Sequence, residues 1–235
     1  MQRKNFALVV LIMVMFLQIS PVQLHAWVLG PAGFIPISIS NGTVPVVPVT
    51  QADFNRDGIS EKLSLKDGAA TIRSAGQTVW QSPETWQVTQ AGIADLNHDQ
   101  SPEAVLLVWR PFRPWPVDQW LPHGGRIAAF HDAGGNSCHI ILIGWQDGLY
   151  REMWAGSALA EPVKSFSVAD LNGDGLQELV TLEGMYTDSS SAPARALKAW
   201  EWNGFGFSIV SKIDGTFDKM AVVQAGDGHI LILVP

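Results

Sequence analysis

A nine-residue grid recurs three times along this chain and restricts it to a repeat architecture. Asp170-Leu-Asn-Gly-Asp-Gly-Leu-Gln-Glu178 carries acidic or amide oxygens at steps 1, 3, 5 and 9 around a glycine at step 6. Asp53-Phe-Asn-Arg-Asp-Gly-Ile-Ser-Glu61 and Asp95-Leu-Asn-His-Asp-Gln-Ser-Pro-Glu103 place oxygens at the same steps. Each copy runs on into an apolar stretch, so the unit is a turn leading into a strand, and it is repeated.

Those residue types at that spacing suit calcium. A hard cation takes six to eight oxygens at roughly 2.3–2.6 Å, and a short loop supplies them when alternate side chains point inward. The expected ligands are Asp53, Asn55, Asp57 and Glu61 in the first loop, Asp95, Asn97, Asp99 and Glu103 in the second, and Asp170, Asn172, Asp174 and Glu178 in the third. The carbonyls of Ile59, Ser101 and Leu176 at step 7 would add one oxygen each. Glycine at step 6 predicts positive φ, which costs a residue with a Cβ on the order of 1 kcal/mol. In the second copy Gln100 replaces that glycine and Pro102 stiffens step 8, so this loop is expected to bind its ion less tightly or not at all. An EF-hand would need a Glu at step 12 and flanking helices. Step 12 here is Ser64, Leu106 or Thr181, and the flanks are strand-like. Asp/Asn/Gly nonamers also serve as plain solvated turns. Three copies sharing four ligand steps favour the metal reading.

On these residues the chain resembles the FG-GAP or VCBS-type repeats, whose relatives include the integrin alpha-chain propellers. The resemblance rests on Asp53/Asn55/Asp57/Gly58/Glu61, Asp95/Asn97/Asp99/Glu103 and Asp170/Asn172/Asp174/Gly175/Glu178. It implies a β-propeller whose calcium loops lie at strand turns and keep the blades rigid, in proteins that mostly bind rather than catalyse. The chain departs from the family in two ways: its Phe-Gly element is reduced to Phe205-Gly206, and step 9 is Glu where integrins usually have Asp.

Composition fits one all-β domain. The chain has 235 residues, 47% of them apolar and only 16% charged, enough for a sizeable core. Acids outnumber bases 22 to 15, which argues against nucleic acid as partner, because phosphate binding needs a basic face. The acidity is local. Without the leader's Arg3 and Lys4 the surplus is nine acids, and the three loops hold nine carboxylates. The single Cys138 permits no internal disulfide and lies in an apolar run, where burial is the expected fate.

Met1 to Asn5 is basic, Phe6 to Leu17 is apolar, and the stretch to Ala26 has the character of a cleavage region. This reads as a signal peptide over 1–26, too short to span a bilayer, with an uncleaved membrane anchor as the alternative. The folded part, 27–235, is then expected outside the cytoplasm. Runs at 34–40 and 44–50, with Asn41-Gly42 between them, predict a proline-bearing edge hairpin. The interval from Asp53 to Asp95, holding four short strands, reads as one blade. The tail 221–234 reads as a decayed fourth copy, with Val223 and Ala225 at its first two ligand steps and Asp227-Gly228 keeping the turn. Joined to the N-terminal strands it would make a composite blade, giving four blades, or five if the long second unit splits.

Two functional classes remain open. Residues 110–125 form a Pro/Trp-rich insertion without periodicity, in which Arg110, Arg113, Trp115, Asp118, Trp120 and His123 offer a contact surface for a protein or carbohydrate ligand. In that reading the chain is a non-catalytic binding, adhesion or scaffold module. The alternative is a hydrolase or lyase using Asp118, His123 and His131 within 110–132. The other tryptophans, Trp80, Trp109, Trp145, Trp154, Trp200 and Trp202 among them, lie on predicted strands and are expected in the blade core.

Overall fold

Two kinds of chain reversal, the nonamer loops and tight two-residue turns, build the fold. A computed structural model describes residues 24–39, 43–114 and 129–235. Among them the strands are β1 (His25–Gly30), β2 (Gly33–Ile37), β3 (Val44–Pro45), β4 (Gln51–Ala52), β5 (Glu61–Lys66), β6 (Ala69–Ser74), β7 (Gln77–Gln81), β8 (Gln87–Ala94), β9 (Glu103–Pro111), β10 (Asn136–Gln146), β11 (Leu149–Ala155), β12 (Val163–Ala169), β13 (Glu178–Glu183), β14 (Ala194–Trp202), β15 (Phe207–Phe217), β16 (Ala221–Gln224) and β17 (Ile230–Val234). They form four antiparallel sheets, β4-β5-β6-β7, β8-β9-β10-β11, β12-β13-β14-β15 and β2-β1-β17-β16-β3. Set in a ring, these are the blades of a four-bladed β-propeller with almost no helix.

Asp67-Gly68, Ala75-Gly76 and Asp147-Gly148 hold positive φ at both positions. That is the two-residue turn whose twist matches the strands it joins, and it fixes Lys66 opposite Ala69, Ser74 opposite Gln77 and Gln146 opposite Leu149. Each nonamer instead joins the first and second strands of a blade: β4 to β5, β8 to β9 and β12 to β13. The blade therefore begins one strand before its loop. This corrects the expected first blade, because β8 pairs with β9 in the second sheet rather than closing the first.

The composite blade is present, with a different pairing of its N-terminal part. The expected hairpin of 34–40 with 44–50 does not form. β2 pairs with β1, while β3 pairs with β16 at the opposite edge of the same sheet. The reason is that β1, which includes His25 and Ala26, supplies β2 with a partner and itself pairs with β17. Pro36 and Pro45 sit on the two edge strands, the positions where a missing N–H is tolerated. Asn41-Gly42 lies outside the described residues.

Apolar side chains alternate along the strands and meet between blades. Phe54, Leu63 and Ile72 of the first blade pack with Leu106, Val108 and Ile141 of the second. Leu107, Cys138 and Leu142 pack with Phe166 and Leu179 of the third. Val180, Leu182 and Leu197 pack with Leu29, Val222 and Ile232 of the composite blade. The named strand tryptophans all border these clusters. Cys138 is fully buried and its thiol is pushed up to about 12 by desolvation, so it behaves as a small hydrophobe.

Polar groups reinforce the same seams. The Gln90 amide stands in for a strand, its Nε2 donating to Phe166 O at 2.7 Å and its Oε1 accepting from Phe166 N at 3.0 Å. In the third blade buried Lys198 donates to Glu183 and to Glu161, each at 2.6 Å. On β10, buried His139 lies between Ser137 Oγ, 2.7 Å from Nε2, and the Gly156 carbonyl, 3.0 Å from Nδ1. A carbonyl only accepts, so Nδ1 carries the proton and Ser137 donates to Nε2.

Burial, with nearby Arg110 adding to it, holds His139 near pKa 4 against an ordinary 6.5. The neutral ring is the native form, so its contribution is present above pH 6.5 and is lost as the pH falls through about 4. At roughly 1.4 kcal/mol per unit the loss is on the order of 3 kcal/mol. Urea unfolding across this range is expected to show that acid loss in the parent chain and to lack it in His139→Gln.

Candidate metal centre

The three nonamers fold alike. Step 4 and step 6 hold positive φ in every copy: Arg56 and Gly58 at 60° and 85°, His98 and Gln100 at 60° and 67°, Gly173 and Gly175 at 81° and 90°. The turn expected at step 6 is therefore made even by Gln100, at a cost of roughly 1–2 kcal/mol for a residue with a Cβ. Between these turns the aspartate at step 1 accepts the N–H groups of steps 5 and 6. Asp57 N and Gly58 N reach Asp53 at 3.1 and 2.8 Å, Asp99 N and Gln100 N reach Asp95 at the same distances, and Asp174 N and Gly175 N reach Asp170 at 3.1 and 2.9 Å. Asn55, Asn97 and Asn172 each accept from the N–H of step 5. Asp57, Asp99 and Asp174 each accept from the N–H of step 7 at 2.8 Å. In the first and second loops each carboxylate oxygen so used keeps a second lone pair, whereas Asp170 Oδ1 in the third also accepts the Gly173 N–H at 2.7 Å.

A second pattern, unread in the sequence, anchors each loop to its blade. Step 2 is Phe54, Leu96 or Leu171, all buried, and its N–H donates to the step-9 glutamate. The distances are 2.9 Å to Glu61, 3.1 Å to Glu103 and 2.7 Å to Glu178. These glutamates open β5, β9 and β13 and are 0–1% exposed. The recurring apolar residue at step 2 was the available signal.

Buried carboxylates set the electrostatics. Desolvation raises Glu103 to about 8, with Asp99 and Asp95 adding to the rise and the Leu96 N–H opposing it. Desolvation likewise raises Glu178 to about 7, against the Leu171 N–H and with Asp174 and Asp170 adding. In the second loop one oxygen from each of Asp95, Asp99 and Glu103 falls within 4.8 Å of the others. In the first, Glu61 Oε1 is fully buried. Tyr150 of the second blade stands by it, edge-on to Phe54 at 6.0 Å, with its hydroxyl turned to the Glu61 carboxylate. Burial, followed by the proximity of Glu61, pushes that phenol well above its ordinary value. The all-oxygen donor set fits a hard divalent cation, and Asp53, Asn55, Asp57 and Glu61 would hold it in that loop.

The loops of neighbouring blades touch one another, and the third borders a cavity of about 840 Å³ lined in part by Ile93, Phe166, Asp170 and His229. The tail copy makes only a tight turn, with Ala225 N bonded to His229 O at 2.8 Å and Gly228 at φ 93°. Of the 110–132 residues, Arg110 lies over the Trp86 ring at 5.7 Å and Arg113 is exposed. His131 packs against Phe112, its Nδ1 donating to Asp132 O at 2.7 Å. Trp115, Asp118, Trp120 and His123 lie outside the described residues. Comparison with family models, curated proteins and solved structures finds no match to this chain.

A raised carboxyl pKa favours the native state while the group is protonated. In chelator, therefore, the contribution of these glutamates is present below pH 4.5 and is lost as the pH rises through about 7 for Glu178 and about 8 for Glu103. Glu103→Gln keeps an acceptor for Leu96 N–H and removes the need to take up a proton on folding. Scanning calorimetry in EGTA near pH 7.5 is expected to place its Tm about 2–6 °C above the parent, at roughly 2–4 °C per kcal/mol. Calcium should then raise the variant's Tm by less than the parent's.

Proposed function

We propose that the chain is an exported calcium-binding propeller of FG-GAP/VCBS-like repeats that acts as a non-catalytic binding, adhesion or scaffold module. One observation carries this reading. Three loops share a single backbone conformation, each sets two aspartates, an asparagine and a buried glutamate around the same turn, and in the second loop one oxygen from each of Asp95, Asp99 and Glu103 falls within 4.8 Å of the others. Such a set supplies oxygens and no sulfur, which suits calcium over zinc. Calcium there offsets the mutual repulsion of three carboxylates per loop and draws Glu103 and Glu178 into their charged form.

The ions have a mechanical role. Each loop joins the first two strands of its blade, so a filled loop fixes the start of β5, β9 or β13 and with it the apolar face that meets the next blade. A ring held in this way presents its loops as a rigid surface to a protein or carbohydrate ligand outside the cytoplasm, with residues 110–125 as the contact segment proposed from sequence.

A ligand bound only by the native state stabilises it by RT ln(1 + [L]/Kd). Calorimetric calcium titration of chelator-treated protein is expected to give saturable binding. At about a hundredfold Kd, roughly 2.7 kcal/mol per site should raise Tm by several degrees. Metal-loaded protein whose Tm is unchanged in excess EGTA would overturn the reading.

A further inference from the structure

Step 4 of each loop stands between two ligand steps and has no part in holding a cation. Its side chain reaches the next blade instead. Arg56 Nη2 donates to the Gln100 carbonyl at 3.0 Å and to Ser101 Oγ at 2.9 Å, at steps 6 and 7 of the second loop. His98 Nε2 is 3.1 Å from the Gln177 carbonyl, at step 8 of the third loop, so Nε2 carries the proton. Gln177 returns the contact, its Oε1 accepting Asp95 N–H at 2.9 Å. The three loops are thus joined hand to hand across the first two seams of the ring. In the third loop step 4 is Gly173, which has no side chain to extend the series.

The landing points are informative. Gln100 is the residue that holds the left-handed turn without being glycine, at φ 67°, and Arg56 grips its carbonyl. Resting on the calcium reading above, we propose that Arg56 and His98 are positioning residues that couple the loops, so that a cation in one raises the affinity of its neighbour. A cation in the first loop fixes Asn55 and Asp57 and hence the backbone of Arg56 between them. Arg56 in turn orders Gln100 and Ser101, and the second loop has less freedom left to lose when it closes on its own ion. Ligands that order a shared segment bind cooperatively in this way. The coupling is reciprocal.

Charge opposes the effect. Two divalent ions in neighbouring loops repel one another across the seam, and physiological salt screens this repulsion. Each backbone residue already fixed spares the second loop conformational entropy when it closes, and two residues, Gln100 and Ser101, are fixed here. Ordering therefore outweighs repulsion, and the expected coupling is about fivefold or more.

The test uses the full chain with the third loop disabled by Asp174→Asn, which leaves two competent loops. Calorimetric calcium titration, with native mass spectrometry to count ions, compares this parent with versions also carrying Arg56→Ala, Arg56→Lys or Asp57→Asn. All three positions are exposed, so folding is retained. The second loop is expected to lose about fivefold or more in affinity when the first is disabled by Asp57→Asn. Arg56→Ala should lose the same factor with the first-loop ligands intact, and Arg56→Lys, which keeps the charge without the fork, should behave as Arg56→Ala does. Second-loop affinity within twofold of the parent in Asp57→Asn and Arg56→Ala would overturn the coupling and leave calcium binding standing. No calcium uptake by the unmodified chain would overturn the calcium reading and the coupling with it.

Discussion

Three buried carboxylates set the terms for the loops of this ring. Glu61, Glu103 and Glu178 open the second strand of their blades, are almost fully hidden from solvent, and each accept one backbone N–H from the loop they close. A lone buried carboxylate is unfavourable unless its charge is neutralised or met by a partner. The N–H donors these glutamates meet, the Asn172 amide at Glu178 among them, offset only part of the burial, as the upward shifts at Glu103 and Glu178 show. A proton meets this demand at Glu103 and Glu178, and on the proposed reading a divalent cation would meet it in the proton's place.

The loops also lie at the mechanical centre of their blades. The step-2 residues Phe54, Leu96 and Leu171 plunge into the inter-blade clusters while their N–H groups hold the glutamates. Polar and apolar anchors therefore act on the same two or three residues. A change at a ligand is transmitted to packing without a long path, since Phe54 sits between Glu61 on one side and Tyr150 of the next blade on the other.

Much of this was legible in the sequence because the nonamer's polar steps are strict. Their regularity gave the repeat, the turn, the number of blades and the pairing of the two termini in one sheet. What escaped detection lies at the steps that vary. Arg56, His98 and Gly173 occupy one step with three unrelated side chains, so nothing in the pattern marks that step as a contact to the next blade. Gln90 reads as an ordinary polar strand residue, and only the approach of β12 makes its amide a strand surrogate. The phase of the blades was misread for a related reason. Periodicity fixes the spacing of units but not where a unit begins, and β8 belongs to the blade that follows it. The partner of β2 was missed because His25 and Ala26 had been assigned to the leader, although β1 runs through them.

The seams of the ring are unequal, and the loop-to-loop contacts fall on two of them. First and second blades share an apolar cluster and the Arg56 contacts; second and third share another cluster, Gln90 and the His98–Gln177 exchange. Third and composite blades share a cluster and the bond from Phe34 N to Ser211 Oγ at 2.8 Å. Between the composite and first blades, among the described residues, no apolar cluster spans both. Val223, Ala225 and Leu231 pack only within their own sheet, and the chain crosses the seam as residues 46–50. The first blade turns Lys62, Lys66 and Arg73, all exposed, away from the second, and such a face gains little from burial. Ring closure there depends on the covalent crossing and on the composite blade being held in place from its other side. A sheet shared by both ends of the chain meets that requirement, since β1 and β2 are bound to β17 and cannot leave without breaking the blade.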